Sequence, residues 1–197
     1  MNIQILRYIT IIALSVSSAF AQDAVSHPYY PLSVGAEWQY DMKLENGAVH
    51  RTVVKTIGDT LFHVKSNMNF GLIVVRTDWE KLVIRKNGVY RVAIRTMDDP
   101  EYVKITPAEL VLPLQLKVGI KWKSYNHVYE VTEHHLDVTV TSKTYEDCYI
   151  IETVNSISGN KERFYYARDY GMVLTSMKSQ SPGSNWDWVL AMTKSAP

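Results

Sequence analysis

A short motif occurs twice in the chain and constrains its architecture more than any other feature. It reads PLSVGAEWQY at Pro31–Tyr40 and PLQLKVGIKW at Pro113–Trp122, with the Val, Gly and Trp of the two copies displaced by 84 positions. Farther along, IRKNGV around Gly88 and ARDYGM around Gly171 are displaced by 83 positions. A spacing kept this closely over such a distance predicts an internal duplication of about 84 residues.

The repeated motif has a structural meaning. Proline lacks an N–H and suits the start or edge of a strand, and glycine permits a turn closed to other residues. Trp38 and Trp122 then follow as the first large rings that point into a core. The alternative is that the two tryptophans form a pair that stacks on a ligand. We favour the packing role, because a motif that recurs at the same position of a repeated fold usually serves packing.

The rest of the chain is typical of β structure. Segments such as LDVTVT alternate apolar and polar residues, and turn sequences such as ENG, KNG and SPGSN separate them at short intervals. The predicted fold class is all-β: antiparallel sheet or sheets built from two similar halves, with a curved half-barrel as one arrangement. A single short connecting helix is predicted at TPAELVL, where Thr106 caps, Pro107 takes the first helical position and Glu109 completes a capping box.

Three segments follow from these patterns. Residues 1–21 are predicted to be a signal peptide, residues 22–105 the first β half and residues 106–197 the second β half. Either half alone would be a marginal domain, because a small domain buries too little surface. We therefore expect the two halves to form one domain with a continuous sheet or barrel.

The N-terminal segment has the order of features required for export. Arg7 precedes an apolar run that is too short to cross a bilayer, and Ala19 and Ala21 supply a small-residue cleavage site. The sequence predicts cleavage after Ala21 and a periplasmic or extracellular protein. No transmembrane segment is predicted in the mature chain.

Charge and cysteine content narrow the functional classes. The chain has 21 basic and 20 acidic residues, and loss of Arg7 with the signal peptide would make these numbers equal. This balance argues against nucleic acid as a partner. Cys148 is the single cysteine, which excludes an intrachain disulfide. Its β-branched surroundings favour a buried strand residue over the alternative of a reactive nucleophile.

No linear motif predicts catalysis, a metal or a cofactor, so the predicted catalytic residues, metal ligands and cofactors are none, and the ligand-binding residues are unknown. His134 and His135 are adjacent, and adjacent strand residues point to opposite faces. The other candidates are interpreted as solvated, hydrogen-bonded or turn residues: His27, His50, His63, His127, Asp78, Glu80, Glu146, Asp147 and Asp98–Glu101.

Aromatic residues cluster in RFYYARDY and NWDWVL. The period of a strand places Phe164 and Tyr166 on one face and Tyr165 on the other, and it places Trp186 and Trp188 on a shared face. A two-sided core explains these rings, and an aromatic groove for an apolar or sugar ligand is the alternative.

The opening Pro31–Tyr40, with its P-L-x-x-G-x-x-W-x-Y pattern, and the closing segment YYARDYGMV resemble a class of uncharacterised exported bacterial β-rich proteins. The resemblance extends over most of the mature chain. It implies the periplasm or exterior of a diderm bacterium and an antiparallel β fold similar to the half-barrel of lipoprotein carriers. It implies no catalytic residues.

Three functions remain open at the level of sequence. The preferred one is a non-catalytic binding module for an apolar small molecule or a peptide. The alternative is a structural or assembly protein of the cell envelope that associates through a sheet edge. A hydrolase with its site between the two halves is the third. The oligomeric state is left open by the sequence.

Overall fold

The computed structural model describes most of the chain beyond the predicted signal peptide, which lies outside the described residues. The described residues are 27–32, 35–44, 49–57, 62–70, 73–96, 98–124, 127–155, 159–178 and 186–194. The description covers the backbone alone in 42–44, 49–57, 62–70, 73–78, 155 and 186–194.

These residues form twelve strands in one antiparallel sheet. The strands are β1 (Glu37–Leu44), β2 (Val49–Ile57), β3 (Phe62–Phe70), β4 (Ile73–Arg85), β5 (Gly88–Thr96), β6 (Val103–Pro113), β7 (Lys121–Ser124), β8 (His127–Val140), β9 (Lys143–Asn155), β10 (Lys161–Ala167), β11 (Gly171–Lys178) and β12 (Trp186–Lys194). The spatial order is β6-β5-β4-β3-β2-β1-β12-β11-β10-β9-β8-β7. The predicted all-β antiparallel fold is therefore confirmed.

The strand order divides the sheet into two meanders of six strands. They join at the centre, where β1 pairs with β12, for example Tyr40 opposite Leu190. The described residues include no helix long and apolar enough to span a membrane.

The repeated residues occupy matching places in the two meanders. Gly35 and Gly119 precede β1 and β7 with φ angles of 87° and 90°. Trp38 and Trp122 are each the second residue of the strand that follows. These matches agree with the predicted duplication, which stays a prediction.

The predicted connecting helix is wrong. Thr106, Pro107 and Glu109 all lie in β6, and the predicted boundary between residues 105 and 106 falls inside this strand. β6 ends the strand order, and an edge strand tolerates Pro107 and Pro113 because one side of its ladder is unpaired. The register of β6 against β5 also shifts between Arg91 and Ala93, which accommodates the irregular segment. The capping signature was local, and pairing with β5 overrode it.

The sheet curls until its two edges share a core. Leu112 of edge strand β6 and Trp122 of edge strand β7 belong to one buried group, although they lie at opposite ends of the strand order. We call this group the seam cluster; its members are Tyr29, Leu112, Trp122, Val131, Tyr149 and Ile151. Within the described residues no ladder joins β6 to β7. The sheet is thus curled but open.

The segment from His27 to Leu32 packs against both halves at the seam. Buried His27 accepts a hydrogen bond at Nδ1 from the Tyr29 amide, 3.1 Å away, so its Nε2 donates to the Pro113 carbonyl at 2.8 Å. The Asp169 amide donates to the Pro28 carbonyl at 2.7 Å. The segment therefore links the end of β6 to the turn between β10 and β11.

Candidate functional site

A cavity of about 200 Å³ lies on the inner side of the curled sheet, beside the seam cluster. We call it the seam cavity. Its walls come from both halves of the chain and from the N-terminal segment: Tyr30, Arg91, Val111, Leu112, Trp122, Ser124, Tyr129, Ile151, Phe164 and Tyr166. The curl of the sheet creates this space, because the lining strands run from β5 to β10 through both edges.

One wall of the seam cavity is aromatic. The rings of Trp122 and Tyr129 stack with centroids 5.3 Å apart and planes inclined by 13°, and Phe164 lies 6.1 Å beyond Tyr129. Trp122 is buried, and its Nε1 atom has no hydrogen-bond acceptor among the described residues. A buried donor without a partner costs about 1–3 kcal/mol. The wall is therefore an apolar surface that contains one buried N–H donor without an acceptor in the described part of the chain.

A charged group forms another part of the lining. The Arg91 guanidinium contacts Glu80 at 2.7 Å and Glu109 at 3.1 Å, and Glu109 lies directly opposite on β6. Burial opposes the charge of Arg91, but attraction by Glu80, Tyr30 and Glu109 raises its pKa. The Arg91 Nε atom is buried and has no acceptor among the described residues. The cavity is therefore amphipathic, because its lining combines the aromatic wall with this charged group.

Three tyrosines add neutral donors to the lining. Burial raises the pKa of Tyr30, with the charge of Glu80 adding to the effect. Burial also raises the pKa of Tyr129 and of Tyr166. These phenols stay protonated at neutral pH, so they add no negative charge to the lining.

A larger groove of about 890 Å³ lies on the opposite face of β7 to β11, and its lining includes Val128 and Tyr165. Four of its charged side chains form two ion pairs: Lys121 contacts Glu130 at 3.0 Å, and Arg163 contacts Glu152. These pairs face solvent and contribute little to a specific site. The seam cavity, with donors that lack acceptors, is the stronger candidate for ligand binding.

The aromatic residues singled out in the sequence divide between the two faces. Phe164 and Tyr166 line the seam cavity, and Tyr165 faces the opposite groove, as the strand period predicted. Trp38 packs in a different cluster from Trp122 and donates from Nε1 to the Tyr170 carbonyl at 2.9 Å. The two tryptophans therefore do not form one stacking pair. The side chains of Asp78, Trp186 and Trp188 lie outside the described residues.

The polar residues named in the sequence analysis do not all have the solvated or turn positions that the sequence predicted. Glu80 contacts Arg91, whereas His134, His135 and Asp147 come together on one side of the hairpin β8–β9. The expectation that His134 and His135 point to opposite faces is wrong, because His135 has a left-handed φ of 60°. Burial lowers the pKa of His134, which opposes its protonation, while the nearby Asp147 acts in the other direction.

Arg91 was missed as a site residue. A signal was present in VYRVAIR, where the strand period places Arg91 on the same face as Val89, which is fully buried. A cation on an apolar face predicts a buried anionic partner. The partners themselves, Glu80 and Glu109, could be identified only from the strand pairing.

Cys148 is fully buried, and its Sγ donates to the Tyr145 carbonyl at 3.3 Å. Burial raises the pKa of this thiol to about 11 from an ordinary 9.0. Because the thiolate is the reactive form, the native protein at pH 8 should react with a disulfide reagent such as DTNB at least about 100-fold more slowly than the urea-unfolded chain. Absorbance of the released thiolate measures both rates. Equal rates would instead favour the reactive nucleophile.

No protein-family model matches the chain, and no curated protein matches it. Two solved structures are similar to it. One is a candidate exported protein of Bacteroides fragilis with a YmcC-like fold, which is 10% identical, has a TM-score of 0.52 and covers 86% of this chain and 100% of its own. The other is a candidate lipoprotein of Parabacteroides distasonis, which is 12% identical, with a TM-score of 0.48 and coverages of 86% and 99%. At these identities the likeness to the first structure shows a shared fold.

Proposed function

We propose that this chain is an exported, non-catalytic binding module that holds a small, largely apolar molecule in the seam cavity. The observation that carries the proposal is the aromatic wall with the unpaired Trp122 Nε1–H group. Ligand sites typically combine an apolar lining with a few polar groups that orient the ligand. A ligand with one hydrogen-bond-accepting group would satisfy the Trp122 donor and bury its apolar part against Tyr129 and Phe164.

The size of the seam cavity favours a small molecule over a peptide. Pockets for drug-sized ligands occupy about 300–1,000 Å³, and the seam cavity of about 200 Å³ lies below that range. The Arg91 group and the tyrosine hydroxyls favour a ligand with a polar end over a pure hydrocarbon.

Export is supported by two separate observations. The sequence predicts a signal peptide with cleavage after Ala21, and the Bacteroides fragilis protein that shares the fold is a candidate exported protein. The resemblance to exported bacterial β-rich proteins stays a prediction and implies the same location. We therefore place the binding module in the periplasm or outside the cell.

The edge strands argue against the alternative of assembly through a sheet edge. Such a protein needs a long and regular edge without proline. Here β7 has 4 residues, and β6 contains Pro107 and Pro113. A hydrolase with a site between the halves needs polar groups of both to meet. The Arg91 group lies in the meander β1–β6, whereas the His134–His135–Asp147 group lies in the meander β7–β12.

Native mass spectrometry of the mature protein, isolated from its own host without refolding, tests the proposal. We expect the wild-type protein to carry the mass of one small molecule, and Trp122→Phe to retain about 10-fold less of it, because one buried hydrogen bond is lost. Trp38→Phe is the matched control, since it removes the same indole N–H group from a tryptophan that packs in a different cluster. A wild-type chain without an adduct, or full retention by Trp122→Phe, would contradict the proposal.

A further inference from the structure

His134, His135 and Asp147 form a compact group at an irregular place in the β8–β9 hairpin. Their ligand atoms all lie within 4.8 Å of one another. Asp147 Oδ1 is 3.2 Å from His134 Nε2 and 2.6 Å from His135 Nδ1. The group belongs to neither the seam cavity nor the opposite groove.

The backbone brings these three side chains together. The pairing of β8 with β9 passes from Glu133 opposite Ile150 to Leu136 opposite Cys148, so β8 has one residue more than β9 in this interval. This extra residue is a β-bulge, a feature that redirects side chains and occurs often beside functional sites. His135 and Asp147 both have left-handed φ angles, 60° and 53°. Neither is glycine, so each conformation carries a local energetic cost.

The orientation of His134 indicates a convergent site. Its Nε2 atom is buried and lies 3.2 Å from Asp147 Oδ1, yet the two atoms are not aligned for a hydrogen bond. Two donor atoms bound to one zinc ion at about 2.0–2.1 Å in a tetrahedral arrangement would lie about 3.3 Å apart. The separation of His134 Nε2 and Asp147 Oδ1 therefore matches two ligands that share an ion. His135 Nδ1 and Asp147 Oδ1 are hydrogen-bonded at 2.6 Å, so an ion bound by both would displace the shared proton and widen that distance. Tyr149 stacks on the His134 ring at 3.6 Å with an inclination of 4° and holds it in this position.

We propose that His134, His135 and Asp147 bind one divalent transition-metal ion, of which Zn²⁺ is the representative. Two imidazoles and one carboxylate suit ions such as Zn²⁺, Cu²⁺ or Ni²⁺ better than Ca²⁺ or Mg²⁺, which prefer oxygen ligands alone. Three protein ligands leave a fourth position for water or another small ligand.

Titration of the untagged, chelator-treated mature protein with Zn²⁺ tests the proposal, with isothermal calorimetry for affinity and elemental analysis for stoichiometry. We expect one ion per chain. His135→Ala should lower the affinity at least about 100-fold, because loss of a direct ligand exceeds the 10–100-fold cost of losing an outer-shell partner. The His135 side chain is 77% exposed, so its removal leaves the fold intact. His134→Ala and Asp147→Asn should show losses of the same size.

His127→Ala is the matched control, because His127 lies on the same strand outside the group. It should bind Zn²⁺ with wild-type affinity. Circular dichroism of each variant confirms that it is folded before the titration. Absence of binding to the wild-type chain, wild-type affinity in His135→Ala, or an equal loss in His127→Ala would each overturn the proposal.

Discussion

Replacement of Gly88 by alanine should destabilise the protein by about 3 kcal/mol, the upper end of the usual cost of overpacking. Gly88 opens β5 and lies opposite Pro113 of β6. A Cβ atom at this position would collide with the Leu112 carbonyl oxygen and lie 2.7 Å from Leu110 Cδ1. Because a backbone atom cannot rotate away, β6 itself would have to move. Urea unfolding followed by tryptophan fluorescence measures the change in the free energy of unfolding.

Gly119→Ala is the matched control for this substitution. Gly119 has a φ of 90°, so alanine is strained there, but no atom outside its chain neighbours lies within 4 Å of the added Cβ. The strain alone should cost about 1 kcal/mol. The difference between the two variants therefore isolates the clash with β6. Equal destabilisation would show that backbone strain, and not contact with β6, dominates at Gly88.

The Gly88 substitution also connects the fold to the proposed function. Leu112, whose carbonyl would be displaced, lines the seam cavity and packs in the same cluster as Trp122. A shift of β6 would change the width of the cavity between the two edges of the sheet. We expect Gly88→Ala to lose ligand as well as stability, while Gly119→Ala retains its ligand.

Removal of the Arg91 charge should have an effect of similar size. Arg91→Met keeps an unbranched side chain but leaves the carboxylates of Glu80 and Glu109 without their cation. The exposed fractions of the three side chains are 27%, 29% and 16%. Breaking a buried ion pair costs about 3–5 kcal/mol, and the residual exposure places the expected loss near about 3 kcal/mol. The same urea unfolding experiment measures it.

Two further variants separate the contribution of the Arg91 charge to stability from the contribution of its packing. Adding Glu80→Gln and Glu109→Gln to Arg91→Met removes the uncompensated charges and should recover most of the lost stability. Lys121→Met is the surface control: its partner is Glu130, their side chains are 61% and 39% exposed, and the loss should stay below about 1 kcal/mol. Failure of the glutamine substitutions to restore stability would assign the effect of Arg91 to packing of its aliphatic part.

The regular parts of the fold were predictable because they depend on local pattern. Alternation and turn residues indicated antiparallel β structure, and the duplicated motif indicated two similar halves. The helix at Thr106 was wrong because a capping signature on an edge segment competes with strand pairing, which no local pattern reports. The position of Trp122 in a core followed from the motif, but its unpaired Nε1 did not. Trp38 Nε1 donates to the Tyr170 carbonyl, whereas Trp122 Nε1 has no acceptor among the residues that the structure describes, and this difference depends on tertiary contacts.

The sequence by itself therefore determined the antiparallel β class and most of the strands, because these depend on residues close together in the chain. Only the tertiary structure decided the sites. The seam cavity exists because β6 and β7, opposite ends of the strand order, meet over Leu112 and Trp122. The His134–His135–Asp147 group exists because a bulge overrides strand alternation. Both depend on the curl and the register of the sheet, which arise from pairing between distant segments.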